Sequence, residues 1–132
     1  MKFFNEQERR DPREHQDQVF VFGSNLAGIH GAGAAAFAEY WYGAKRGVGR
    51  GMTGNSYAIP TKDKEFNVRS VTEIRQDIME FLEYATQHID MKFFVTRIGC
   101  GYAGYVNEQI APMFHGAPEN CMFDEQWKEF LL

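Results

Sequence analysis

The sequence predicts an α/β domain, a mostly parallel sheet with helices on both faces. Three observations predict it. Stretches rich in β-prone apolar residues, at 19–22, 56–60 and 91–98, alternate with helical stretches at 32–38 and 70–88. The run Val19-Phe20-Val21-Phe22 is apolar without alternation, as suits a strand covered on both sides. The chain has 132 residues, 44% of them hydrophobic and 15% aromatic, which is one domain with material for a core.

Taken in order, residues 1–17 read as a charged arm and 18–132 as the domain. Glu8, Arg9, Arg10, Asp11, Arg13 and Glu14 show no clean period around Pro12. They suit a solvated segment, with Phe3 and Phe4 docking on the body. A first strand hidden in the arm is also compatible with these residues.

The strand at 19–22 runs into Gly23-Ser24-Asn25-Leu26-Ala27-Gly28-Ile29-His30-Gly31-Ala32-Gly33, and then into an alanine-rich helix. Gly28, Gly31 and Gly33 allow positive φ or a close approach of backbone to something bound. A helix starting where a strand ends presents free N–H groups and a positive dipole end, which together attract an anion. Such turns also arise because helices pack closely on sheets.

Residues 43–54 hold five glycines in twelve positions, with Lys45, Arg46 and Arg50, and read as a loop. Its cations suit solvent as well as they suit a phosphate. The strand at 56–60 is expected to end at Pro60. Lys62 follows at its carboxyl end, where ligands gather in open α/β sheets. Residues 70–88 form the clearest helix. Ser70 and Glu73 make a capping box, and Val71, Ile74, Ile78, Phe81, Leu82 and Ala85 make one apolar stripe.

The strand at 91–98 leads into Gly99-Cys100-Gly101-Tyr102-Ala103-Gly104-Tyr105, a second candidate ligand loop. Its glycines bring N–H groups to an oxyanion, and a tyrosine face can cover a sugar or base. Cys100 lacks an identifiable base, so a small packing residue is the simpler reading than a nucleophile. A short helix at 107–114 starts from Asn107 as N-cap and contains Pro112. A last strand is expected at 119–123, with Asp124 capping a final helix.

The net charge of −4 argues against a nonspecific nucleic-acid binder but not against a nucleotide-sized ligand. Cys100 and Cys121 fit no metal spacing and no disulfide framework, and no apolar run approaches a membrane span. A cytoplasmic protein without metal or cofactor is expected.

Three stretches at these spacings resemble the macro domain family. They are Asn25 with Gly31-Ala32-Gly33-Ala34-Ala35, then Ile59-Pro60-Thr61-Lys62, then Ile98-Gly99-Cys100-Gly101-Tyr102-Ala103-Gly104-Tyr105. The resemblance covers about residues 18–127 and points to the branch of the terminal ADP-ribose protein glycohydrolase and the DNA ADP-ribosyl glycohydrolases. It extends to small macro-like proteins of bacteria and phages.

The resemblance implies a three-layer α/β/α sandwich that binds ADP-ribose. Asn25 would meet the distal ribose, and Gly31 and Gly33 would let the chain pass close to it. Gly99, Gly101, Ala103 and Gly104 would cradle the diphosphate with backbone N–H groups, and Cys100, Tyr102 and Tyr105 of the same loop would complete the ligand-binding set. Lys62 would act at the ribose C1″ as a nucleophile; His30, which is not part of the family's pattern, reads by its position as an acid/base beside the distal ribose or as a ring that orients the loop. The sequence departs from the pattern at three places. Ala103 stands where the terminal-ADP-ribose enzyme has an acid. His30 replaces an apolar residue. The Gly-Asp segment that contacts adenine is not evident, and only Asp17 lies near.

The expected function is ADP-ribose binding, with removal of ADP-ribosyl groups or of a terminal phosphate, from an ADP-ribosylated macromolecule. A non-catalytic reader of ADP-ribose or a related nucleotide is the second reading. A structural protein whose cleft is plugged by Tyr102 or Trp41 is the third.

Overall fold

The computed structural model of the chain describes residues 1–5 and 11–132. Its strands are β1 (Lys2–Phe4), β2 (Gln18–Asn25), β3 (Gly51–Thr53), β4 (Ser56–Lys62), β5 (Lys92–Val95) and β6 (Cys121–Asp124). Its helices are α1 (Gly33–Trp41), α2 (Val71–Gln87), α3 (Asn107–Ile110) and α4 (Lys128–Leu131). The strands form one mixed sheet in the order β1-β6-β5-β2-β4-β3, parallel throughout except for the β3–β4 hairpin.

Alternation along β2 sorts the core into two layers. Val19 and Val21 point to one face, where they meet Ile74, Ile78, Phe81, Phe114, Phe123 and Trp127. Phe20 and Phe22 point to the other, where they meet Ala35, Ala38, Tyr42 and Phe94. Helices on both faces of a mostly parallel sheet make the expected α/β/α sandwich.

The capping box of α2 is present. The Ser70 hydroxyl accepts from the Glu73 amide at 3.2 Å, and the Glu73 carboxylate accepts from the Ser70 amide at 3.1 Å.

The arm differs from a wholly solvated one. Lys2–Phe4 pairs in parallel with β6, and the Phe4 ring stacks on Phe94 with centroids 3.8 Å apart. Neighbouring Phe3 packs into the other layer. Two successive aromatics can each bury a ring only if the backbone between them is extended. Glu8, Arg9 and Arg10 lie outside the described residues.

Three more details depart from expectation. β4 runs past Pro60 to Lys62, because β3 pairs only as far as Ala58 and the strand is locally an edge where proline is tolerated. The glycine loop ends as β3. Asn107 is not the cap of α3; Val106 holds that position.

Candidate functional site

From β2 the chain crosses to β4 on one side, and then returns to β5 on the other. The carboxyl ends of these three strands therefore border one crevice, the place where an α/β sheet takes ligands. A cleft of about 1200 Å³ opens there, lined from Asn25 and Gly31–Ala35 on one side and Ile98–Ala103 on the other. Lys62 lies between them at the end of β4. The two glycine loops thus share one rim of the sheet.

The first loop is braced from behind. Ser24 Oγ donates to the Gly49 carbonyl, and Gly49 passes so close to the Asn25 carbonyl that no Cβ fits between them. Asn25 lines the cleft, but its amide brackets its own turn. Nδ2 donates to the Ile29 carbonyl at 2.8 Å and Oδ1 accepts from the Ile29 amide at 3.0 Å. Beyond this turn α1 begins without a side-chain cap. Its first intrahelical bond is Ala36 to Ala32, so the amides of Gly33, Ala34 and Ala35 precede it. All three residues line the cleft.

The second loop supplies more free amides. The Cys100, Gly104 and Tyr105 amides donate to main-chain carbonyls, whereas those of Gly99, Gly101, Tyr102 and Ala103 carry no protein hydrogen bond among the described residues. Gly99 sits at φ +81°, a left-handed conformation that a side chain would strain. Tyr105 Oη donates to the Arg69 carbonyl at 2.6 Å and anchors the loop. Tyr102 stays exposed and lies over Gly33, where a Cβ would come within 2.8 Å of its ring. Lys62 Nζ is 5.9 Å from the centre of the same ring.

Three expected site residues stand elsewhere. His30 is buried beneath the first loop, edge-on to Phe22 and 3.8 Å from Glu39, and it does not line the cleft. Its ring packs against Phe22 on the α1 side of the sheet, with neither ring nitrogen hydrogen-bonded among the described residues. Gly104 and Tyr105 support the second loop from behind rather than lining it. Cys100 does line the cleft, but burial pushes its thiol above the ordinary value, and its Sγ faces the Ile98 carbonyl at 3.8 Å. A protonated thiol is a poor nucleophile.

Trp41 lies off the cleft against Tyr40, and Tyr102 sits at its mouth, so neither plugs it. Asp17 pairs loosely with Lys92 on the surface and is not a cleft residue.

Sequence reasoning missed several lining residues: Phe4, Phe66, Thr96, Arg97 and Glu125. Arg97 had a visible signal, a cation directly between a strand and a glycine loop. Phe66 had none, although it adopts φ +66° on a turn held by the Asp63 carboxylate. Among the described lining residues the cations are Lys62 and Arg97, and the carboxylate is Glu125. With two sets of free amides added, the field in the cleft favours an anion.

No family model and no curated protein matches the sequence. Among solved structures the chain is similar to Thermosipho africanus DarTG in complex with ADP-ribose, with a TM-score of 0.58 and 15% identity. That match covers 81% of this chain and 38% of the other, so the chain spans well under half of that protein. It is also similar to a Bacteroides thetaiotaomicron protein of unknown function, with a TM-score of 0.55, 13% identity, and coverage of 93% and 96%. At these identities the likeness is one of fold: a mixed six-stranded sheet with flanking helices, consistent with a macro-like α/β/α sandwich.

Proposed function

We propose that the cleft binds ADP-ribose. One observation carries the reading: the residues at the uncapped start of α1 and the second-loop residues whose amides have no protein partner line the same cleft. Two convergent sets of N–H groups suit a diphosphate, the centre of ADP-ribose. The distal ribose then extends toward Asn25 and Lys62. That a protein of similar fold holds ADP-ribose supports the choice of sugar diphosphate.

Calorimetry and melting with ADP-ribose test this. Saturable heat and a rise in melting temperature are expected, since ligand at a hundred times its Kd adds about 2.7 kcal/mol of stability. No response to ADP-ribose, NAD or ADP at millimolar concentration removes the reading and leaves a structural role.

Catalysis is a second reading, favoured by the place of Lys62 beside Tyr102 at the distal end of the cleft. Its neutral amine would attack the anomeric carbon as the bond to the carried group breaks, that group leaving with a proton. Ring opening would give a Schiff base, which water hydrolyses to free ADP-ribose and the amine. The carrier would be an ADP-ribosylated macromolecule. Lys62→Ala separates the readings: a reader keeps its affinity, whereas a hydrolase also keeps it but loses release of ADP-ribose from a modified substrate.

A further inference from the structure

We propose that Arg97 is a charged reader of phosphate in this cleft, held in place by buried Asp124 and by Asn107. The proposal deepens the ADP-ribose reading, which invokes backbone amides alone.

Arg97 directly precedes the second loop and lines the cleft with its side chain 29% exposed. The guanidinium is tethered at Nη1 and only loosely paired at Nε, which makes no hydrogen bond among the described residues. Nη1 donates to Asn107 Oδ1 at 3.2 Å, and the same oxygen accepts from Trp127 Nε1 at 2.9 Å. Nε lies 3.8 Å from Asp124 Oδ2. Asp124 has no exposed surface; its Oδ1 accepts from the Gln126 amide at 2.8 Å, and its Oδ2 has no hydrogen-bond partner. A carboxylate so buried is retained only with a cation beside it, and Arg97 is that cation.

Asn107 and Arg97 also stand at the two ends of the second loop, so one hydrogen bond closes it at its base. Nη2 donates to no protein atom among the described residues. An arginine tethered through Nη1 keeps Nη2 for a ligand, and a guanidinium N–H suits a phosphate oxygen. A purely structural arginine would neutralise Asp124 and do nothing more.

Inorganic pyrophosphate is the probe. Its affinity is measured by calorimetry over a range of salt for the wild-type chain, for Arg97→Lys, and for the double variant Arg97→Gln/Asp124→Asn. The double variant removes both charges together, so no buried carboxylate is left alone, and its melting temperature reports the fold. Wild-type binding that weakens with salt is expected. The double variant should lose between about ten- and a hundredfold, the range for hydrogen bonds to charged groups, and should flatten the salt dependence. Arg97→Lys should retain part of the affinity.

A folded double variant that binds pyrophosphate like the wild type overturns the proposal. So does a wild-type chain that binds no pyrophosphate, or a lysine variant as weak as the neutral pair. The two readings separate cleanly. Arg97-dependent pyrophosphate binding without any gain for ADP-ribose keeps Arg97 and removes ADP-ribose. ADP-ribose binding that is indifferent to Arg97 does the reverse.

Discussion

Beneath α2, α3 and α4 the sheet is covered by Ile74, Ile78, Phe81, Ile110 and Phe114, none with exposed surface. Beneath α1 the cover is a nine-residue helix whose buried side chains are Ala35 and Ala38. The short alanine helix sits close to β2 but leaves the β5–β6–β1 side of that face without a helical roof. Phe94, Met122 and Phe4 pack together there and line the cleft. The cleft is thus the place where the helix layer stops. Small side chains also bring the α1 amino terminus low enough to join its wall. One face secures the fold, and the other gives up some burial to make room for a ligand.

Substitutions can break or sharpen this contrast. Phe81→Ala on the closed face should show the largest effect, a loss of about 4 kcal/mol in urea unfolding, because the surrounding rings cannot collapse into the space. A similar truncation on the open face, Phe4→Ala, should lose only about 1 kcal/mol, because its ring is half-buried. Equal losses would end the distinction.

Asp77→Ala should come next. Its carboxylate accepts from Arg69 Nη1 and from Arg50 Nε, each at 2.6 Å, and Arg69 is itself buried. Removing it strands Arg69 and should cost about 3 kcal/mol, whereas Arg50→Ala, at the exposed end of the cluster, should cost under about 1 kcal/mol.

Gly33→Ala tests the open face itself. At φ +60°, under the Tyr102 ring, an alanine should lose about 1 kcal/mol of stability. It should also weaken ADP-ribose in calorimetry, because the first amides of α1 are displaced.

Lys62→Ala should change unfolding by less than about 0.5 kcal/mol, so a larger loss would make Lys62 a structural residue.

A separate effect is alkaline. Burial pushes the Tyr57 hydroxyl from 10.0 up to about 12 and the Cys121 thiol from 9.0 up to about 12. Both groups are raised in the folded state, so their contribution is complete below the unfolded values. It declines from about pH 9 upward and is gone above about pH 12. Urea midpoints across this window should fall, and Cys121→Ala should delay the onset to about pH 10.

Much of this was readable in the residues. The capping box and apolar stripe of α2 are local signals, and the helix forms where they place it. The strand–glycine–helix turn at β2 and the glycine loop after β5 were legible as loops at strand ends, and residues of both line the cleft. What remained hidden depended on distant partners. Three residues, Lys2–Phe4, form a strand only because β6 lies beside them. Pro60 is tolerated only because β3 stops short.

His30 read as an acid/base or as a ring orienting the loop, and the turn directs that ring into the core beside Phe22. Asn25 read as a ligand contact; it lines the cleft while its amide ties down Ile29. Arg97, Asn107 and Asp124 are separated along the chain and become one cluster only in the folded sheet.

The sequence by itself determined the layers of this protein, because periodicity and capping act over a few residues and need no partner. The tertiary structure decided which side chains reach the cleft. Side-chain direction at the end of a parallel strand is set by the neighbouring strands and by the loop packed behind it, and those contacts join residues that no local pattern connects.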